Sequence, residues 1–153
     1  MNSLVNLLVR PDRDEYTLED LGPEIFYLNN EVYLRKDMEI INNRGFKLKC
    51  SWFMSAKKDK MMPWVVYWHG NCGSRIDSYE IVESCLPLHI SVFTFDFSGS
   101  GLSEGDYVTL GYHESDDIRS VVDYIRSSGI GHEIWLFGRS MGAASILKYA
   151  KSD

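Results

Sequence analysis

Apolar residues follow two different rhythms along this chain. Between Met38 and Phe53 they flank a polar Asn43-Arg44-Gly45, and Phe46-Lys47-Leu48-Lys49-Cys50 alternates strictly. A period of two on one side of a short glycine-containing turn predicts a β-hairpin. Lys57, Lys58, Asp59 and Lys60 then read as a solvated loop. Beyond it, three continuous apolar runs appear: Trp64-Val65-Val66-Tyr67-Trp68, Ser91-Val92-Phe93-Thr94-Phe95 and Glu133-Ile134-Trp135-Leu136-Phe137. Short runs without alternation predict strands buried on both faces, as in parallel sheets.

Helical spacing fills the intervals. Ser74-x-x-Asp77 has the capping-box pattern, followed by Ile76, Tyr79, Val82, Cys85 and Leu86 at the helical period. Ile118, Val121, Val122 and Ile125 fall at i, i+3, i+4 and i+7, with Asp116 and Asp117 in the first turn and Gly129 past the end. Ala143, Ala144, Leu147 and Ala150 mark one face of a last helix. A hairpin followed by three β-then-α units predicts an α/β fold whose sheet turns parallel, with helices over both faces. Residues 1–24 run through the charged Arg10-Pro11-Asp12-Arg13-Asp14-Glu15 to Gly22-Pro23. They read as an arm leading into a domain over residues 25–153.

Composition narrows the function classes. The 153 residues carry 16 Lys plus Arg against 22 Asp plus Glu, a formal charge of −6. Such a balance argues against a nucleic-acid partner. Hydrophobic residues at 44% and charged residues at 25% exclude wholesale disorder. Cys50, Cys72 and Cys85 contain no C-x-x-C pair, so neither a disulfide framework nor a zinc ribbon fits. Reduced thiols point to a reducing compartment, and the expected location is cytoplasmic, with no metal or cofactor. The apolar run within residues 1–10 is too short for a signal peptide or a membrane span. Packing on the protein's own core is its expected use, with a peripheral membrane contact as the alternative.

Chemistry concentrates in three loops, each at the end of a predicted strand. Gly138-Arg139-Ser140-Met141-Gly142 is a G-x-S-x-G, which recurs by chance in about one chain in twenty of this length. Its context makes it informative: it closes an apolar strand and opens a helix, where a nucleophile elbow exposes a serine hydroxyl beside the positive helix end. The bland alternative is a serine N-cap with flanking glycines. His69-Gly70-Asn71 ends another apolar strand, where an oxyanion hole draws a backbone N–H from a neighbouring loop. The two donors would be the amides of Asn71 and Met141, and His69 would shape the turn rather than act as a base.

The third loop is Asp96-Phe97-Ser98-Gly99-Ser100-Gly101-Leu102-Ser103-Glu104-Gly105. Gly99-x-Gly101 after a strand invites a dinucleotide reading. No helix is predicted directly after the last glycine, however, and Glu104 and Asp106 would repel a pyrophosphate. Asp96 is expected to brace the turn by accepting backbone N–H bonds.

Taken together, His69-Gly70-Asn71, Asp96-x-x-Gly99-x-Gly101-x-Ser103 and Gly138-x-Ser140-x-Gly142 resemble three successive signatures of the α/β-hydrolase superfamily, in the family's order. Arg10-Pro11 and Tyr16-x-Leu18-x-Asp20-Leu21-Gly22-Pro23 are similar to the lead-in of protein depalmitoylases within the serine-aminopeptidase-like branch. The resemblance implies Ser140 as nucleophile and the Asn71 and Met141 amides as oxyanion donors. It also implies an ester, thioester or amide substrate, either a small molecule or an acylated protein.

That family orders its triad Ser, then Asp or Glu, then His. Here all four histidines, His69, His89, His113 and His132, precede Ser140, and the terminal Asp153 is no credible triad acid. His113 is the least implausible substitute base. The expectation is therefore the N-terminal part of a hydrolase domain, feebly active alone, with the 133–137 strand left as an apolar edge. The competing expectation is a non-catalytic interaction module that self-associates through that edge.

Overall fold

The computed structural model describes residues 9–57, 62–129 and 133–152. The expectations for the apolar start, the tip of the lysine loop, His132 and Asp153 lie outside those residues. Six strands form one mixed sheet: β1 (Ile25–Leu28), β2 (Glu31–Ile41), β3 (Lys47–Ser55), β4 (Trp64–Trp68), β5 (Ser91–Phe95) and β6 (Ile134–Gly138). Their spatial order is β1-β2-β3-β5-β4-β6. β1, β2, β3 and β5 pair antiparallel in succession, whereas β4 runs parallel to both β5 and β6.

The hairpin is the predicted one, extended at both ends. Nine residue pairs join β2 to β3, from Tyr33 opposite Ser55 to Ile41 opposite Lys47. Its turn closes through Asn42, whose side-chain oxygen accepts the N–H groups of Arg44 and Phe46. β1 was not legible in advance. Its alternation covers only four residues, and Ile25 and Tyr27 project into solvent.

Helices cover both faces. On one side lies α1 (Tyr79–Cys85), whose Val82 packs with Leu86, Tyr33, Phe53 and Val92. On the other lie α2 (Glu114–Ser128) and α3 (Met141–Ser152). Ile118, Val121, Val122 and Ile125 of α2 are each at most 2% exposed against Val66, Phe93 and Phe95. Burial on that scale stabilises by about 1.5–3 kcal/mol per side chain. Gly129 ends α2 in the left-handed conformation at φ 64°, as its position after the periodic run predicts.

Three local expectations need correction. The Ser74 cap is real, but its hydroxyl accepts from Ile76 N and starts a 3-10 turn, Arg75–Ser78, before α1 begins. Asp77 closes no capping box there. β6 is not buried on both faces: Trp135 and Phe137 are about half exposed, because β4 is its only strand neighbour among the described residues. The inward face of α3 is Met141, Gly142, Ser145 and Tyr149, not the alanine stripe, and Leu147 is 74% exposed. Glycine sets that rotation, because only a residue without a side chain fits where Gly142 meets β4. Ser145 tolerates burial by donating its hydroxyl to Met141 O.

Candidate active site

Ser140 sits between the end of β6 and the start of α3, exposed, with φ at 51°. The left-handed region costs an ordinary side chain about 1–2 kcal/mol. Such strain persists only where surrounding structure dictates it. Two close approaches do so here. A Cβ on Gly138 would stand 2.6 Å from Gly142 C and 2.7 Å from Ala143 N. A Cβ on Gly142 would stand 2.4 Å from Trp68 O and 2.8 Å from His69 O. The two glycines thus let β6 turn directly into α3 and let α3 press on the end of β4. Arg139 N donates to Trp68 O at 3.0 Å and ties the elbow to β4.

The loop after β4 faces this elbow. A Cβ built on Gly70 would lie 3.5 Å from Ser140 Cβ, so the two loops touch. Asn71 follows Gly70 directly. Met141 opens α3, where backbone N–H groups have no intrahelical acceptor. His69 is fully buried and makes two bonds: Phe97 N donates to Nε2 at 3.1 Å, which places the ring proton on Nδ1, 2.7 Å from Gly70 O. Burial holds its pKa below the ordinary histidine value, partly offset by the Gly70 carbonyl. A neutral ring with both nitrogens engaged shapes the loop and has no lone pair to offer Ser140. The Asn71 side-chain oxygen is buried with no hydrogen-bond partner among the described residues.

Asp96, just past the end of β5, is fully buried, and its carboxylate accepts three hydrogen bonds. Oδ1 takes Arg75 N at 2.7 Å, while Oδ2 takes Leu102 N at 3.0 Å and the Tyr16 hydroxyl at 2.5 Å. Arg75 Nε stands a further 3.8 Å from Oδ2. Gly101, at φ 45°, leaves room for this carboxylate: a Cβ there would lie 2.5 Å from Asp96 Cγ. Gly99 packs its Cα face on the Tyr107 backbone, and Ser103 links strands by donating to Asp96 O and accepting from Lys49 N. No helix follows Gly105, since α2 begins only at Glu114.

The structure therefore brings together the Gly70–Asn71 loop and the Ser140–Met141 elbow, with Asp96 one loop away as a brace. It brings no described histidine to Ser140. His113 stands at the N-cap position of α2 without a side-chain capping bond, edge-on to Tyr112 and 3.7 Å from Asp116. His89 lies after α1, at the opposite end of the parallel strands. A cavity of about 580 Å³ lies between the arm and the glycine loop, lined by Arg10, Arg13 and Asp106, without Ser140 on its wall.

Several site-building contacts escaped the sequence reading. Tyr16 and Arg75 are buried and bonded to each other at 2.6 Å. Arg13 caps the carbonyls of Gly101, Ser103 and Gly105. Asp117 receives Asn42, Arg44 and Ser98. The hints were the place of Tyr16 at the head of the Tyr16–Pro23 lead-in motif and an arginine directly after a helix cap.

Comparison with known proteins fits this geometry. A family model described as the alpha/beta hydrolase fold matches residues 63–152. The YfhR protein of Escherichia coli K12 is 27% identical over 148 residues, covering 94% of this chain and 47% of that protein. The chain thus spans about half the length of the curated relatives that it matches most fully. Among solved structures, the Pyrococcus furiosus esterase Pf2001 superposes with a TM-score of 0.71 at 28% identity, over 92% of this chain and 52% of the esterase. A Butyrivibrio proteoclasticus protein solved with ferulic acid bound gives 0.64 at 25% identity, over 75% and 47%. Among the described residues, no helix is long and apolar enough to cross a membrane.

Proposed function

The chain belongs to the α/β-hydrolase fold family, and from that premise we propose that it carries the nucleophile half of a serine hydrolase site. Ser140 attacks an ester, thioester or amide carbonyl and forms an acyl-enzyme. The Asn71 and Met141 amides stabilise the tetrahedral oxyanion. One observation carries this reading: an exposed serine, held left-handed at φ 51° by two sterically obligatory glycines, faces a second loop whose Gly70 approaches its Cβ. A mere N-cap serine does not require that strain.

The general base is not one of the described histidines. His69 is consumed by its loop, His89 lies at the opposite end of the parallel strands, and His113 stands at the start of α2 beside Asp116. The acid and base of the triad lie outside the described residues, a reading supported by the half-length match to relatives. The isolated chain then retains only what oxyanion stabilisation and binding supply, roughly 10³–10⁴-fold over water. Peptide mapping after treatment with a fluorophosphonate tests both parts. The expected result is slow modification of Ser140, abolished by Ser140→Ala. No adduct on Ser140 would remove the nucleophile, and rapid labelling that titrates near neutral pH would place a base inside the chain.

A second reading is favoured by β6, an edge strand whose Trp135 and Phe137 are half exposed. Exposed apolar edges template pairing with another chain. On this reading the domain is non-catalytic and pairs with a second copy of itself. Concentration-dependent dimerisation in sedimentation, without Ser140 labelling, is its expected signature; a labelled monomer contradicts it.

A further inference from the structure

The loop bearing Asn71 is pinned at both ends, and the second pin comes from the arm. At its start, His69 is fixed by Phe97 N. At its end, Ser74 donates its hydroxyl to Asp14 Oδ2 at 2.6 Å and accepts Ile76 N at 3.3 Å. Arg75 is held three times: its N–H donates to Asp96 Oδ1, its Nε to the Tyr16 hydroxyl at 2.6 Å and its Nη1 to Ser51 Oγ at 3.1 Å. Tyr16 passes that bond on to Asp96 Oδ2 at 2.5 Å. One turn later, Tyr79 donates to Asp20 O at 3.2 Å. Three arm residues therefore grip the segment that begins three positions after Asn71.

Little slack lies between. Only Cys72 and Gly73 separate Asn71 from Ser74. Cys72 is left-handed at φ 61°, and Gly73 N donates back to Gly70 O at 3.2 Å, so residues 70–73 close on themselves as a tight turn.

We propose that Asp14 and Tyr16 are positioning residues: the arm is a strap that aims the Asn71 N–H at the oxyanion site by fixing Ser74 and Arg75. This rests on the reading of Ser140 as nucleophile. A donor off target by a fraction of an ångström loses much of its worth, and outright removal of one oxyanion donor costs about 10²–10³-fold in rate. Loosening its support costs less, on the order of tenfold.

The full chain is compared with Tyr16→Phe, Asp14→Asn and a control, Tyr33→Phe, which removes a buried hydroxyl bonded to Leu86 O away from the loop. The rate of Ser140 modification by a fluorophosphonate is measured beside the amide hydrogen exchange of residues 71–73. Tyr16→Phe is expected to slow modification about tenfold and to speed exchange at Asn71 and Cys72, with strands β4 and β5 still protected. Asp14→Asn, which still accepts from Ser74, retains more of the rate. Tyr33→Phe lowers the urea midpoint without changing the rate. Wild-type rate in Tyr16→Phe, or an equal loss in Tyr33→Phe, overturns the proposal. If Ser140 is never modified in any variant, the nucleophile reading fails on its own. The exchange data then still decide the strap: unaltered exchange at Asn71 refutes it, and faster exchange supports it.

Discussion

Replacing Gly142 by alanine isolates the contact on which the elbow depends. Two terms oppose each other. Alanine gains about 0.8–1.0 kcal/mol over glycine in a helix interior, and Gly142 is the second residue of α3. Against this, the new Cβ would lie 2.4 Å from Trp68 O and 2.8 Å from His69 O, both backbone atoms that cannot rotate away. Ordinary Cβ contacts begin above 3 Å, so α3 must retreat from β4 by more than half an ångström. Overpacking of this kind costs about 1–3 kcal/mol and sometimes more. The retreat also breaks the Arg139 N to Trp68 O bond, about 1 kcal/mol. The net expectation is a loss of roughly 1–3 kcal/mol, summed from these terms. Urea unfolding followed by tryptophan fluorescence reads it directly, with Gly129→Ala as a comparison that carries only left-handed backbone strain, about 1–2 kcal/mol, because its Cβ meets nothing. Equal or greater stability in Gly142→Ala would show that the elbow is not sterically determined.

Other consequences are as direct. His69 is neutral in the fold with its pKa lowered by burial, so the unfolded chain takes up a proton first as pH falls below its ordinary value near 6.5. Stability is then full above that pH and declines below it, by at most about 1.4 kcal/mol per pH unit from this group. Denaturation at pH 7.5 and 5.5 should show a shallower decline in His69→Gln; identical slopes would count against a buried neutral ring. Asp117→Ala strands Asn42, Ser98 and the Arg44 guanidinium, and should cost about 2–4 kcal/mol in urea unfolding, because Arg44 keeps partial solvent access. Full stability there would mean the cluster is energetically idle. Trp135→Lys on the edge strand should lower any concentration-dependent association seen by sedimentation, and unchanged association would move the interface elsewhere.

The strands and loops that carry backbone chemistry were legible because their signals are local. Continuous apolar runs revealed β4 and β5, and the glycine spacing around Ser140 reflects a clash between α3 and β4 that any side chain would produce. What escaped was set by distance along the chain. Tyr16 meets Asp96 across 80 residues, and Asn42 meets Asp117 across 75, with no local pattern announcing either pair. The rotation of α3 was misread for a related reason. Counting apolar residues favoured Ala143, Ala144 and Leu147, but the glycine that touches β4 fixes the inward face, and a hydroxyl bonded to its own helix lets Ser145 follow it inside. Likewise β6 looked like a buried strand from composition, while its exposure depends on which neighbours the sheet supplies.

The proposed site pairs the Ser140 nucleophile and its oxyanion donors with no general base among the described histidines. Intact-mass spectrometry of the purified chain after mixing with an activated p-nitrophenyl ester tests it most directly. A single acyl adduct on Ser140 that accumulates and persists, absent in Ser140→Ala, is the predicted result. Repeated Ser140-dependent turnover without accumulation, or no adduct on Ser140 at all, would contradict it.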